Sequence, residues 1–253
     1  GVMTLRNPDR EAVAHGHITN EPIRQKPGVP SWVLKLIMAV TGLLFALFVV
    51  GHMAGNLKLY LPAHGGEEAL DEYGAFLRSM GEPLFPHEGA LWIIRAVLLV
   101  AILAHIYGAI ALTARSKASR GKFSRSNLMG GLDSFATKTM LVSGLVLLLF
   151  IIFHLLDLTM GVQPIAPGDF AEGAVKANMI ATFSRWPVTI VYVIAMCFLF
   201  LHLTHGIRLA ASDLGITGAK WRQTFLILAY VIPAVVCIGN IVMPLSVALG
   251  LVS

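Results

Sequence analysis

Five stretches of the chain, 32–59, 91–114, 135–160, 186–211 and 225–248, are each apolar for more than twenty residues. A hydrocarbon layer is crossed by about 20 residues of helix, and no soluble core needs runs of this length. In lipid a lone strand leaves its backbone N–H and C=O groups unbonded, so the runs read as α-helices. The fold class is therefore all-α: a polytopic membrane protein built as a bundle of five transmembrane helices. Composition agrees, with 56% apolar and 13% charged residues among 253, against about 25% charged in soluble chains. One transmembrane domain, 31–253, follows a polar segment, 1–30, that holds Pro8, Pro22, Pro27 and Pro30 and no apolar core of a cleaved signal. Cys197 and Cys237 are the two cysteines, too few for a disulfide framework or a four-thiolate metal site.

The net charge of +5 sits in loops, where it reads as a topology signal and not as a nucleic-acid surface. Arg115, Lys117, Arg120, Lys122, Arg125 and Lys138 oppose only Asp133 from the end of the second run to the start of the third, and Arg208, Lys220 and Arg222 oppose Asp213 at and beyond the end of the fourth. These loops are expected in the cytoplasm. The first connection holds Glu67, Glu68, Asp71, Glu72, Glu82 and Glu88 with Lys58 and Arg78, and is expected outside. The N-terminus is then cytoplasmic and the C-terminus outside. Trp32, Trp92, Trp186 and Trp221 lie at or beside run ends, where amphipathic rings meet the headgroups. In both outer connections, 71–80 and 170–183 show helical spacing of apolar residues and are expected as interfacial helices, either lids over an outer ligand site or plain caps.

His52, His105, His154, His202 and His205 stand inside apolar runs, on four different helices. Each is costly in lipid unless bonded or ligated. At about 1.5 Å per residue, His52 lies roughly 30 Å above Trp32 and His154 roughly 28 Å above Phe135, both near the outer surface. His105 is roughly 15 Å from the inner edge at Arg115 and His202 roughly 9 Å from that at Arg208, a mismatch that helix tilt absorbs. Two pairs at two depths suit bis-imidazole ligation of two b haems, His52 with His154 outside and His105 with His202 inside. Zinc, which gathers three or four ligands at one point, suits them poorly. His205 competes for the inner place, but the depth of His202 is closer to that of His105; His205 then bonds a propionate or lies near a quinone. Gly51, Gly55, Gly108 and Gly206 beside these histidines give a broad ring room, or serve ordinary helix packing. Arg95 needs an anion such as a haem propionate or Glu88, unless it snorkels to the headgroups; Arg208 is a second propionate candidate.

In this arrangement, TGLLFALFVVGHMAGNL around His52, LAHIYGAIAL around His105, LLFIIFHLLDLTM around His154 and LFLHLTHGIRLAASDLGIT around His202 resemble the dihaem cytochrome b anchor of succinate:quinone oxidoreductases, the succinate dehydrogenases and fumarate reductases of respiratory complex II. The resemblance spans essentially the whole chain. It implies that His52 and His154 hold the outer haem and His105 and His202 the inner one, with His202 preferred to His205. It further implies a flavoprotein subunit with FAD and an iron–sulfur subunit docked near Arg115 to Arg125, and electrons passed from succinate to quinone. Menaquinone is the family's usual partner, with Glu88, Asp71 and Glu72 as candidate proton donors, Arg95 and His205 as further quinone-site candidates, and a bacterial cytoplasmic membrane as the location. Some fumarate-reducing relatives carry a glutamate two residues before the fourth ligand; Phe200 stands there, which favours succinate oxidation.

No dinucleotide fingerprint or soluble domain is present in the sequence, so dicarboxylate chemistry is expected on partner chains. Three alternatives remain at this point. One is the cytochrome b anchor of another quinone-linked enzyme, such as a hydrogenase or formate dehydrogenase. Another is a Rieske-type cluster on Cys197, Cys237 and two histidines. The third is a transporter using the histidines as relays.

Overall fold

A computed structural model describes residues 28–61, 68–82, 84, 86–120, 128–216 and 218–253, with the backbone alone for 117–120 and 128–137. Most of the polar segment 1–30, together with Glu67, Lys122 and Arg125, lies outside the described residues. The chain divides into two compact units, Gly1–Val33 and Leu34–Ser253. The described part of the first unit runs from Gly28 into the opening of a helix, where Val33 N–H donates to Pro30 O at 3.1 Å. The second unit takes in the rest of that helix and all the others.

The helices are α1 Ser31–Asn56, α2 Ala69–Ser79, α3 Gly89–Arg120, α4 Leu128–His154, α5 Val175–Phe183, α6 Trp186–Asp213 and α7 Ala219–Ala248. A 3-10 turn, Leu57–Tyr60, extends α1, and a π-helical turn, Leu155–Thr159, extends α4. No strand occurs among the described residues. Five helices are long and apolar enough to cross a membrane: Ser31–Tyr60, Gly89–Ser116, Lys138–Thr159, Trp186–Asp213 and Ala219–Ala248. They coincide with the five apolar runs, except that α3, α4 and α7 overrun them with further helical turns. A helix needs apolar side chains only where it meets lipid, while its backbone bonds continue as far as propensity allows. Leu47, Leu103, Leu149 and Ile238 are all more than half exposed, which suits a lipid-facing surface far better than a watery one.

Buried packing gathers where α2 and α5 cover the bundle, hereafter the capped end. Met53, Leu70, Phe183, Tyr192, Val236 and Met243 form its core. α6 packs against α4 and α7, α2 against α3 and α5. Close approach is made possible by small residues: a Cβ on Gly239 would stand 2.6 Å from Met53 Sδ, and one on Gly55 2.6 Å from the Tyr73 ring. The two caps are tied polar to polar. Lys176 N–H, in the first turn of α5, donates to Asp71 Oδ1 and its ammonium to Glu68 Oε2, both at 3.0 Å. Tyr60 and Ser246 hydroxyls bond at 3.0 Å, closing the end of α7 onto the 3-10 turn. The helical spacing expected over 170–183 is realised only from Val175. Before it, the Phe170 ring folds over Gly161, whose positive φ of 65° and lack of a side chain are both needed there.

Candidate functional site

Each of the four transmembrane helices α1, α3, α4 and α6 contributes one histidine to a pair. His52 and His154 stand 5.9 Å apart between ring centres with their planes at 82°. His105 and His202 stand 6.4 Å apart at 63°. Two imidazoles on one metal, each at about 2 Å from it and with about 1 Å from nitrogen to ring centre, are also about 6 Å apart. Both spacings thus fit one metal held between two rings. Among the described residues, no three of His, Cys, Asp and Glu are grouped to hold a metal ion.

The partners of these rings decide which nitrogen is free. His105 Nδ1 lies 2.9 Å from Thr41 Oγ1, and that hydroxyl donates to Ile37 O at 2.6 Å. His202 Nδ1 lies 3.0 Å from Ser143 Oγ, which donates to Met140 O at 3.1 Å. His154 Nδ1 lies 3.1 Å from Tyr192 OH, which donates to Asp157 Oδ2 at 2.9 Å. A hydroxyl carries one proton, and in all three cases it is committed elsewhere. The hydroxyl oxygen must accept, so Nδ1 carries the ring proton. Nε2 is left with its lone pair, the form of imidazole that ligates a metal. His52 is held instead by stacking on Phe48 at 5.4 Å, and Phe150 stacks on His154 at 5.7 Å.

Space beside the rings is uneven. Gly51 and Gly206 have nothing within 4 Å of a built Cβ, whereas Gly55 and Gly108 are filled by Tyr73 and Met38. The last two are helix packing, not room for a ring. Gly42 and Gly144, with no signal in the sequence, lie under His105 and His202, a Cβ reaching 3.7 Å and 3.4 Å from their Cε1 atoms. An open apolar groove of about 630 Å³ between α1 and α3 is lined by Leu36, Val40, Thr41, Val97, Val100 and Ala104. Thr41 joins this groove to His105.

Sequence reasoning passes over the most buried polar group of the site. Asp157 is fully buried, on the π-helical turn that follows His154. Its carboxylate accepts from Thr182 Oγ1 at 2.9 Å, Arg185 Nη2 at 2.8 Å and Tyr192 OH. Arg185 also donates to Ile165 O at 2.7 Å, tying the loop after α4 to the start of α6. A signal does exist in the sequence: an aspartate three residues after His154 in an apolar run is an intramembrane charge that demands a partner.

The remaining candidates are dispersed. Arg95 lies over the Trp92 ring at 4.7 Å, a cation–π contact, and forms no ion pair with Glu88 among the described residues. Glu88 is half-buried at a positive φ of 64°. Asp71 serves the α5 backbone, and Glu72 is exposed. His205 is half-buried, one turn beyond His202. Arg208 reaches the Tyr230 hydroxyl at 3.5 Å. No hydrogen bond or ion pair among the described residues joins Glu88, Asp71, Glu72, Arg95 and His205 into one site. Cys197 is exposed and Cys237 buried.

Residues 125–239 match the family described as succinate dehydrogenase/fumarate reductase transmembrane subunit. The matched stretch takes in His154 and His202, one member of each pair, with Ser143, Asp157 and Tyr192. The described helices long and apolar enough to cross a membrane include two that lie largely within the matched stretch, Lys138–Thr159 and Trp186–Asp213. No match was found among the curated proteins or the solved structures.

Proposed function

We propose that the chain is the cytochrome b anchor of a succinate:quinone oxidoreductase, with His52 and His154 holding one b haem and His105 and His202 a second. The observation that carries this reading is the hydroxyl at the back of three of the four rings, which leaves Nε2 free at pair spacings of 5.9 Å and 6.4 Å. Bound there, the haems would supply one-electron transfer between an iron–sulfur partner and quinone.

The chain's own residues orient and insulate. Thr41, Ser143 and Tyr192 fix the tautomer and rotation of their imidazoles, and Phe45, Phe48 and Phe150 pack against the rings. Apolar helices exclude water, and α2 and α5 close the capped end. In this reading the capped end faces outward. The basic segment from Arg115 to Arg125 faces the cytoplasm of a bacterial cell, and a flavoprotein with FAD and an iron–sulfur subunit dock there. The quinone, menaquinone in this reading, is reduced near the capped end, where Glu88, Glu72 and Asp71 are proton donors and Arg95 an anion partner. Arg208 and His205 serve propionates at the other end.

The test is co-purification on a tagged copy of this chain followed by addition of succinate. The reading expects a flavoprotein and an iron–sulfur protein to be retained, and succinate to reduce b-type absorbance and a menaquinone analogue. Retained subunits of a hydrogenase or formate dehydrogenase, with no response to succinate, would overturn it.

A further inference from the structure

Three histidines hand their Nδ1 proton to a hydroxyl, but the hydroxyls differ in what stands behind them. Thr41 and Ser143 pass their own protons to backbone carbonyls of their helices. Tyr192 passes its proton to a carboxylate. That carboxylate, Asp157, is fully buried and held by Thr182 and Arg185. The bonds run in one direction, His154 Nδ1–H to Tyr192 O, Tyr192 O–H to Asp157 Oδ2, with Arg185 and Thr182 donating to Oδ1.

We propose that Tyr192, backed by Asp157, is a positioning residue that sets the electron density of the His154 imidazole and thereby the redox poise of whatever metal that ring ligates. This rests on the reading of His154 as an axial ligand. A hydrogen bond to an ionised acceptor is roughly twice as strong as one between neutral groups, and successive bonds in a chain polarise one another. The phenol oxygen is made a better acceptor by the carboxylate below it. It draws the Nδ1 proton outward and leaves Nε2 the stronger donor. A stronger donor favours the more positive oxidised metal. At His105 and His202 the same position is occupied by an aliphatic hydroxyl bonded to a neutral amide, so the outer contacts tune the two pairs differently.

The inference is separable from simple packing. Tyr192 also lies edge-on to Phe150 and Phe183, at 5.0 Å and 4.9 Å between ring centres. Tyr192→Phe keeps those contacts and deletes only the hydroxyl. Asp157→Asn keeps an oxygen for Tyr192 and deletes the charge.

The experiment is a spectroelectrochemical titration of the purified complex, wild type and both variants, with haem content measured on each. In Tyr192→Phe the His52/His154 haem is expected to shift by about tenfold in its ferric-to-ferrous ratio toward the reduced form, about 59 mV upward for one electron. The His105/His202 haem is expected not to move. Asp157→Asn is expected to shift the same haem in the same direction by less. Both haems retained with both potentials unmoved would overturn the proposal and leave the haem reading standing. Loss of that haem in both variants would assign these residues to structure alone and overturn it equally. A wild-type complex without haem would instead overturn the proposed function itself.

Discussion

At the scale of single residues, the chemistry depends on how an imidazole is made tolerable in lipid. The second-nitrogen contacts of His105, His202 and His154 give a costly polar group a hydrogen-bond partner and leave Nε2 open to a ligand role. Replacing His52 or His154 by Ala is expected to remove one haem and keep the other. Haem counted per chain checks this, and loss of both or of neither would contradict the pairing. Thr41→Val or Ser143→Ala deletes the acceptor behind a ring of the second pair. Contacts of this kind are worth roughly 10–100-fold in metal affinity, so on dilution the b absorbance of that pair alone should be lost at a concentration higher than in the wild type by about that factor. The histidines themselves are legible in the sequence because lipid makes each one conspicuous. Thr41, Ser143, Gly42 and Gly144 are silent there: a small polar residue or glycine in an apolar helix has no pattern of its own, and its meaning comes from a ring on another helix.

Among the elements, the capped end shows what spacing reveals and what it hides. Apolar residues at helical intervals announce α2 and, less completely, α5. They do not announce that Asp157, Thr182, Arg185 and Tyr192 converge, because the partners belong to the π-helical turn, α5, the tight connection that follows it and the second turn of α6. Asp157→Ala leaves the guanidinium of Arg185 without its carboxylate. Breaking a buried pair in this way costs about 3–5 kcal/mol, and hydrogen exchange should rise through 155–192 while the far end of the bundle stays protected. Unchanged exchange there would show that the network does not hold the caps. Gly55→Ala presses a methyl group into the Tyr73 ring. Overpacking of this kind costs about 1–3 kcal/mol, read as an earlier thermal loss of α2 against α1.

For the whole molecule, five helices are long and apolar enough to cross a membrane, and residues 125–239 match a family of membrane subunits. Loop charge predicts which end of the bundle faces the cytoplasm. A membrane-impermeant maleimide added to intact cells should label Glu72→Cys and spare Lys122→Cys; the reverse pattern would invert the topology. The central claim is that the paired histidines hold two haems. The direct measurement is a dithionite-reduced minus oxidised spectrum of the purified complex, with pyridine haemochrome quantified per copy of this chain. The account predicts two b haems per chain. A complex with its partner subunits intact and no haem would contradict it.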